Sequence, residues 1–92
     1  MEWPQIYERL LVDQEDAEAW DALWQRVLGW ARRALWQRGW YAIEDVVEET
    51  CSTTLIGIAK AQGSTTFSGF VYGHFLNARK RDNRGSGHHH NR

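Results

Sequence analysis

The stretch from Ile43 to Ile58, IEDVVEETCSTTLIGI, decides the fold class of this chain. Its apolar and small residues recur at alternating steps of three and four, which is the spacing of one face of an α-helix. Its acidic residues lie off that face in the first two turns, where the positive end of the helix dipole favours them. An amphipathic helix is therefore predicted. Its buried face would contain Ile43, Val46, Val47, Thr50, Cys51, Thr54, Leu55 and Ile58.

Two further helices are predicted before this stretch. The residues from Trp20 to Leu35 form the longest periodic segment, and Asp13 or Asp16 can cap its start. Gly39 is predicted to end that helix, because glycine is common just after a helix C-terminus. A shorter helix is predicted around Pro4, which suits a first helical turn. The apolar residues of this first helix are Ile6, Leu10 and Leu11.

A last helix is predicted after the polar loop AQGSTT at residues 61–66, with Thr66 or Ser68 as its cap. Its apolar face ends before a basic run that reaches Arg84, so its second half should either project from the body or lie on a negatively charged surface. Residues 85–92, GSGHHHNR, are expected to be a flexible tail of the kind added as a tag. The predicted apolar members of the helix are Phe67, Phe70, Val71, His74, Phe75 and Ala78.

The composition is that of one globular domain. The chain has 92 residues, of which 42% are hydrophobic and 25% charged. Together with the helical periodicity, this predicts an all-α bundle of three to four helices covering residues 1–84. Most of the six tryptophans are expected to pack in the core, with one or two on a surface that binds a partner. The single cysteine excludes an internal disulfide, and a soluble, cytoplasmic protein with no membrane partner is expected.

The charges are segregated along the chain. Residues 1–60 contain eleven of the twelve acidic residues, whereas residues 79–92 contain five basic residues and one acidic residue. An acidic body with a basic end suits a protein that contacts two different partners. A solvated basic tail would give the same pattern, so both interpretations stay open.

No catalytic motif is found in the sequence. The phosphate-binding, dinucleotide-binding and zinc-protease signatures are absent, and Cys51 has no partner at sequence level. His74 is the only histidine outside the tail, and a lone histidine on an apolar helical face is usually structural. The carboxylates between Glu44 and Glu49 lack a second carboxylate cluster that would complete a metal site. A binding protein without enzymatic activity, cofactor or metal is therefore predicted.

Two motifs together resemble region 2 of bacterial RNA polymerase sigma factors, especially those of the extracytoplasmic-function group. IEDVVEETCSTTL at residues 43–55 resembles the second conserved helix, in which an acidic pair precedes two aliphatic residues and a Gln/Glu-Glu pair. FSGFVYGHFLNARKRDNR at residues 67–84 resembles the next helix, in which an aromatic, an aliphatic and a tyrosine precede Asn and a basic run. The resemblance covers roughly residues 13–84.

The resemblance implies two partners. The acidic face with Asp45, Glu48 and Glu49 would dock on the basic clamp helices of the largest subunit of the RNA polymerase core. The last helix and the loop before it would bind the single-stranded non-template strand of the −10 promoter element. The implied DNA-binding residues are Gln62, Ser64 and Thr65, which would line a pocket for a flipped base, then Phe67, Phe70, Tyr72, Asn77, Arg79, Lys80, Arg81 and Arg84.

General chemistry agrees with such a role, since unpaired bases stack on aromatic rings and cations follow phosphates. The alternative for Phe67 and Phe70 is a place in the core. The alternative for the basic run is a solvated helix end. The acidic and basic surfaces are expected to be separate and to serve separate partners.

The chain also departs from the family. Glu48 stands where these proteins commonly have Gln, and no helix-turn-helix module follows residue 84. The chain is therefore expected to be either one domain of a longer protein or a stand-alone module. The competing hypothesis is a sigma-like protein–protein interaction module that does not melt promoters. An anti-sigma partner and a homodimer both stay open.

Overall fold

The computed structural model describes the backbone of residues 1–61, 63 and 66–90, and their side chains as far as Asp82. This part of the chain is an all-α bundle, as predicted. It contains the helices α1 (Trp3–Val12), α2 (Ala17–Ala34), α3 (Trp40–Ile56) and α4 (Phe67–His90), with a short 3-10 helix, Ile58–Lys60, after α3.

The first two helices begin as their sequences predict. Pro4 lies in the first turn of α1, where its missing N–H removes no hydrogen bond. At the start of α2, the Asp16 carboxylate accepts a hydrogen bond from the Ala19 N–H at 3.1 Å, so Asp16 is the cap. Arg9 of α1 forms ion pairs with the start of α2, because its guanidinium lies 2.8 Å from the Asp16 carboxylate and 2.7 Å from that of Glu18.

The turn between α2 and α3 differs from the prediction. Helix α2 ends at Ala34, and Gly39 precedes α3 instead of terminating α2. The backbone of Gly39 is extended, with φ −67° and ψ 163°, whereas a glycine that ends a helix usually has positive φ. Its carbonyl accepts from the Ile43 N–H at 3.3 Å, so Trp40 and Tyr41 belong to the first turn of α3.

Helix α3 is the centre of the bundle and packs against both α2 and α4. Six of the eight residues predicted for its buried face are buried in α3, and Leu55 is only half-buried. Ile58 is also buried, but α3 ends at Ile56, so Ile58 lies in the 3-10 helix that follows. The buried Thr50 hydroxyl donates to the Val46 carbonyl at 2.7 Å, which satisfies a polar group inside the core. In α1, Ile6 and Leu10 are buried, but the prediction for Leu11 is wrong, because 47% of Leu11 is exposed.

Helix α4 starts directly after Thr66, whose carbonyl accepts from the Phe70 N–H at 3.0 Å. Ser68 therefore lies inside the helix and cannot cap it. The predicted apolar face is fully buried at four positions and half-buried at Phe70 and His74. The backbone of α4 continues to His90, past the expected boundary at Arg84. The flexible tail stays a prediction, and residues 91 and 92 lie outside the described residues.

The tryptophans surround the core instead of filling it. Trp3, Trp20, Trp24 and Trp30 are half-buried against the core. The other two are exposed: Trp36 by 72% and Trp40 by 50%. The expectation that most tryptophans are core residues is thus corrected, because an indole at the edge of so small a bundle buries only part of its surface.

The burial of Cys51 on α3 generates a testable prediction. Burial raises the pKa of the Cys51 thiol to about 12, so the reactive thiolate is scarce near neutral pH. Under native conditions at about pH 8, we expect Ellman's reagent to react with Cys51 far more slowly than it does after denaturation. Cys51 is the only cysteine, so the released absorbance reports this site alone. Equal rates in native and denaturing buffer would contradict the buried position.

Candidate functional site

The outer side of α4 holds three of the seven described residues for which DNA contacts are predicted: Tyr72, Asn77 and Lys80. Tyr72, Leu76 and Lys80 follow one another at steps of four, so they lie along one face of the helix. Asn77 lies beside them, and all four side chains are exposed. An aromatic ring, an amide and a cation therefore share one open surface.

Phe67 does not belong to that surface. Its side chain is 0% exposed, and its ring lies 5.2 Å from the ring of Tyr7 and 5.9 Å from that of Trp3. A base cannot stack on a ring that is enclosed by the core, so the predicted DNA contact of Phe67 is corrected to a core role. Phe70 is half-buried, and its ring packs edge-on against His74 at 4.7 Å. Burial lowers the pKa of His74, which favours the neutral imidazole.

Tyr72 is held in place although 43% of it is exposed. Its ring meets Trp30 of α2 edge-on at 5.1 Å and lies 5.7 Å from Phe75. The guanidinium of Arg79 lies 5.9 Å from the ring centre of Phe75. The Arg79 Nε is buried and donates to no acceptor in the described part of the chain. These contacts fix an aromatic ring and a cation on the α2 side of α4.

The acidic and basic surfaces adjoin each other, against the expectation that they are separate. Arg81 of α4 lies 3.2 Å from Glu49 of α3, and both residues line a shallow depression that also includes Asp45. Asp82 lies 3.0 Å from Arg38, which is in the turn between α2 and α3. The basic end of α4 is thus partly neutralised by carboxylates, because α3 and α4 pack with their predicted binding residues side by side.

Two of the three carboxylates predicted to bind the polymerase are open to solvent. Asp45 and Glu48 are exposed and form no ion pair with any described residue, whereas Glu49 is half-buried and paired. Carboxylates without an internal partner are available to an external cation. Among the described residues, the start of α3 therefore offers two unpaired carboxylates next to one that is already paired.

The predicted pocket for a flipped base cannot be placed. Gln62, Ser64, Thr65 and the side chain of Arg84 lie outside the described residues. Gly63 has a φ of +112°, a value that glycine adopts without strain, and its carbonyl accepts from the Thr66 N–H at 3.3 Å.

Two groups of surface residues were not predicted from the sequence. Trp30 and Arg33 of α2 lie beside the exposed face of α4 and line a groove with it. Trp36, Trp40 and Tyr41 are exposed around the turn between α2 and α3. The surplus of tryptophans signalled such a surface. The sequence alone does not show which aromatic residues lie on these surfaces, because that depends on where α2 ends and on how α2 packs against α4.

Two classes of feature are absent from the described part of the chain. It contains no group of three or more His, Cys, Asp and Glu side chains that could hold a metal ion. None of its helices combines the length and the apolarity needed to cross a bilayer.

Comparison of the chain with protein-family models, with curated proteins and with solved structures gave no match. The function proposed for the chain therefore rests on its own residues and on the motifs at residues 43–55 and 67–84.

The different environments of two α4 aromatics predict different effects on stability. Phe67→Ala should lower the free energy of unfolding by about 3–5 kcal/mol, because it opens a cavity in the core. Tyr72→Ala should lower it by only about 1 kcal/mol, since it removes ring contacts at a half-open surface. Urea denaturation followed by circular dichroism measures both effects. An equal loss in the two variants would contradict the assignment of Phe67 to the core and Tyr72 to the surface.

Proposed function

We propose that this chain is a sigma region 2-like transcription initiation domain. In this proposal the acidic start of α3 binds the clamp helices of the RNA polymerase core. The outer face of α4 recognises the −10 promoter element as its strands separate and holds the non-template single strand. The observation that carries the proposal is the exposed face of α4, on which the fixed ring of Tyr72 is followed by Asn77 and Lys80.

This face has the chemistry that a single strand requires. Unpaired bases expose flat π-surfaces, and a ring that packing already immobilises loses little entropy when a base stacks on it. Tyr72 is such a ring, since Trp30 and Phe75 restrict it while much of its surface stays open. Lys80 and the half-buried Arg79 supply positive charge within two turns of the same helix. A base and its neighbouring phosphates would thus find partners on one side of α4.

The start of α3 has the chemistry for a basic protein partner. Asp45 and Glu48 are exposed and unpaired within the described residues, so binding a cation there breaks no ion pair among those residues. Complementary charge increases the association rate and orients the encounter. Glu49 would contribute less, because it already faces Arg81. In this proposal the protein acts by binding, in the cytoplasm, and carries out no chemistry of its own.

A second candidate function is a protein–protein interaction module without promoter melting. It is favoured by the exposed aromatics Trp36, Trp40 and Tyr41 around the turn between α2 and α3. Large aromatic side chains are enriched at protein interfaces and often dominate their binding energy. This surface could serve a second copy of the chain or a regulatory partner such as an anti-sigma protein.

The DNA proposal is tested with Lys80→Gln, which removes one exposed cation and no described ion pair. Fluorescence anisotropy would measure binding of a labelled single-stranded oligonucleotide of mixed sequence, of about 20 nucleotides, across a salt series. We expect wild type to prefer this oligonucleotide over its duplex. Lys80→Gln should weaken binding about fivefold near 0.1 M salt. The salt slope, which is the magnitude of the slope of log binding constant against log salt concentration, should fall by about 0.7, because one phosphate contact is lost.

The matched control for this experiment is Arg9→Gln. It also removes one positive charge, but Arg9 is paired with Asp16 and Glu18 at the junction of α1 and α2, away from the face of α4. The affinity of the Arg9→Gln variant for the oligonucleotide should match that of wild type. If the wild-type domain shows no salt-dependent binding to single strands, the DNA-binding role is wrong and the interaction module becomes the better interpretation.

The polymerase proposal is tested with the double variant Asp45→Arg and Glu48→Arg. This pair leaves the Glu49–Arg81 contact in place, so the basic end of α4 keeps its partner. The variant should no longer be recovered in a pull-down with the clamp helices of a bacterial RNA polymerase, since attraction becomes repulsion. The control, Glu8→Arg with Glu15→Arg, makes the same change of charge at exposed positions in and after α1 and should be recovered like wild type. Equal recovery of both variants would refute this docking surface.

A further inference from the structure

A groove of about 300 Å³ lies between α2 and α4, on the side of α4 away from the Glu49–Arg81 pair. One wall comes from the last two turns of α2 and the other from the middle of α4. The motifs that resemble sigma factors contain only the α4 wall. The groove is lined by Trp30, Arg33, Ala34, Tyr72, Phe75 and Arg79.

The aromatic part of this groove is pre-organised. The rings of Trp30 and Tyr72 meet edge-on, with their planes at 88°, and Phe75 lies within 5.7 Å of both. Edge-to-face contacts of this kind are favourable and restrict ring rotation. Tyr72 therefore presents a fixed ring at the edge of the groove, at a position that a flat ligand can reach from solvent.

The groove is also positively charged. Two of its six lining residues are arginines, and none is acidic. Arg33 is exposed and forms no ion pair with any described residue. Arg79 is half-buried, and its Nε has no acceptor within the described part of the chain. A buried donor without an acceptor is unfavourable. An anion that accepts from this guanidinium therefore gains more binding free energy than one that binds a solvated side chain.

A fixed aromatic ring between two arginines fits a ligand that has both a flat ring and an anionic group. We propose that the groove between α2 and α4 binds one nucleotide of single-stranded DNA, with the base on Tyr72 and the adjacent phosphates on Arg33 and Arg79. This inference rests on the proposed single-strand binding by α4 and adds a second wall from α2. An acidic peptide would engage the arginines but would leave the aromatic ring unused.

The strand then lies across two helices instead of along one. Each guanidinium offers several planar N–H donors, which suit phosphate oxygens better than a single ammonium does. Trp30 acts as a positioning residue, because it orients Tyr72 through the edge-on contact. The two cations come from different helices, so the groove selects a backbone that passes from α4 to α2.

The experiment compares Arg33→Gln with Arg32→Gln. Both variants remove one exposed cation from the last turn of α2, but Arg32 points toward Trp40, with its guanidinium 5.9 Å from that ring, and does not line the groove. With the labelled mixed-sequence oligonucleotide, Arg33→Gln should bind about fivefold more weakly near 0.1 M salt and show a salt slope lower by about 0.7. Arg32→Gln should bind within about twofold of wild type.

Stacking is tested separately at Tyr72. Tyr72→Leu should weaken binding about tenfold with little change in the salt slope, whereas Tyr72→Phe should restore the affinity, because stacking requires the ring and not the hydroxyl. Circular dichroism establishes that each variant is folded. If wild type binds but Arg33→Gln and Arg32→Gln weaken binding equally, the groove proposal is overturned and the proposed function survives. If Tyr72→Leu binds like wild type, no base stacks on this ring, and both the groove proposal and the proposed single-strand binding by α4 are wrong. If wild type binds no single-stranded DNA, both the groove proposal and the proposed DNA-binding function are wrong.

Discussion

The structure depends on the burial of one face of α3 between α2 and α4. Six side chains of that face are buried, including those of the small polar residues Thr50 and Thr54. Apolar burial of this kind is the main force that holds a domain of this size together. It also sets the geometry of the surface. Because both neighbours pack on α3, the end of α2 is brought beside the middle of α4, and the start of α3 beside its basic run. Both candidate binding surfaces are consequences of how α3 is buried.

The ion pairs contribute less to the fold than to the character of the surface. Arg81 and Glu49 lie 3.2 Å apart and Arg38 and Asp82 3.0 Å apart, and in the first pair the arginine side chain is largely exposed. Exposed pairs such as Arg81–Glu49 stabilise a protein by at most about 1 kcal/mol, so such contacts do not determine the helix arrangement. They do connect the two candidate surfaces. A basic partner that engages Glu49 would compete with Arg81 for the same carboxylate, and the released Arg81 would then be free to meet a phosphate. The two surfaces can therefore influence each other through a single side chain.

The sequence predicts the elements of this fold better than it predicts their surfaces. Periodicity identifies the buried face of α3, because burial against two helices leaves a regular apolar pattern. Periodicity does not distinguish the roles of Phe67 and Tyr72 on α4, since both are aromatic. The difference comes from tertiary packing, in which Trp3 and Tyr7 of α1 contact Phe67. The sequence places Gly39 at the wrong helix end, because glycine serves at either end of a helix. Only the hydrogen bond from the Ile43 N–H to the Gly39 carbonyl shows that Gly39 begins α3. The groove combines residues about forty positions apart, so no local pattern in the sequence can reveal it.

A net charge of −1 does not conflict with binding an anionic strand, because none of the residues that line the groove is acidic. The acidic cluster at the start of α2 ends at Asp21, twelve residues before Arg33. At about 1.5 Å of rise per residue, that separation along the helix is about 18 Å. The Debye length in about 0.1 M salt is about 10 Å, so solvent and ions screen those charges from a ligand at Arg33. Nearer to the groove, Asp82 lies within an ion pair with Arg38, which reduces its repulsion of a phosphate. The local field at the groove is therefore set by Arg33 and Arg79, and the charge of the whole chain is a poor guide to which ligand this surface can hold.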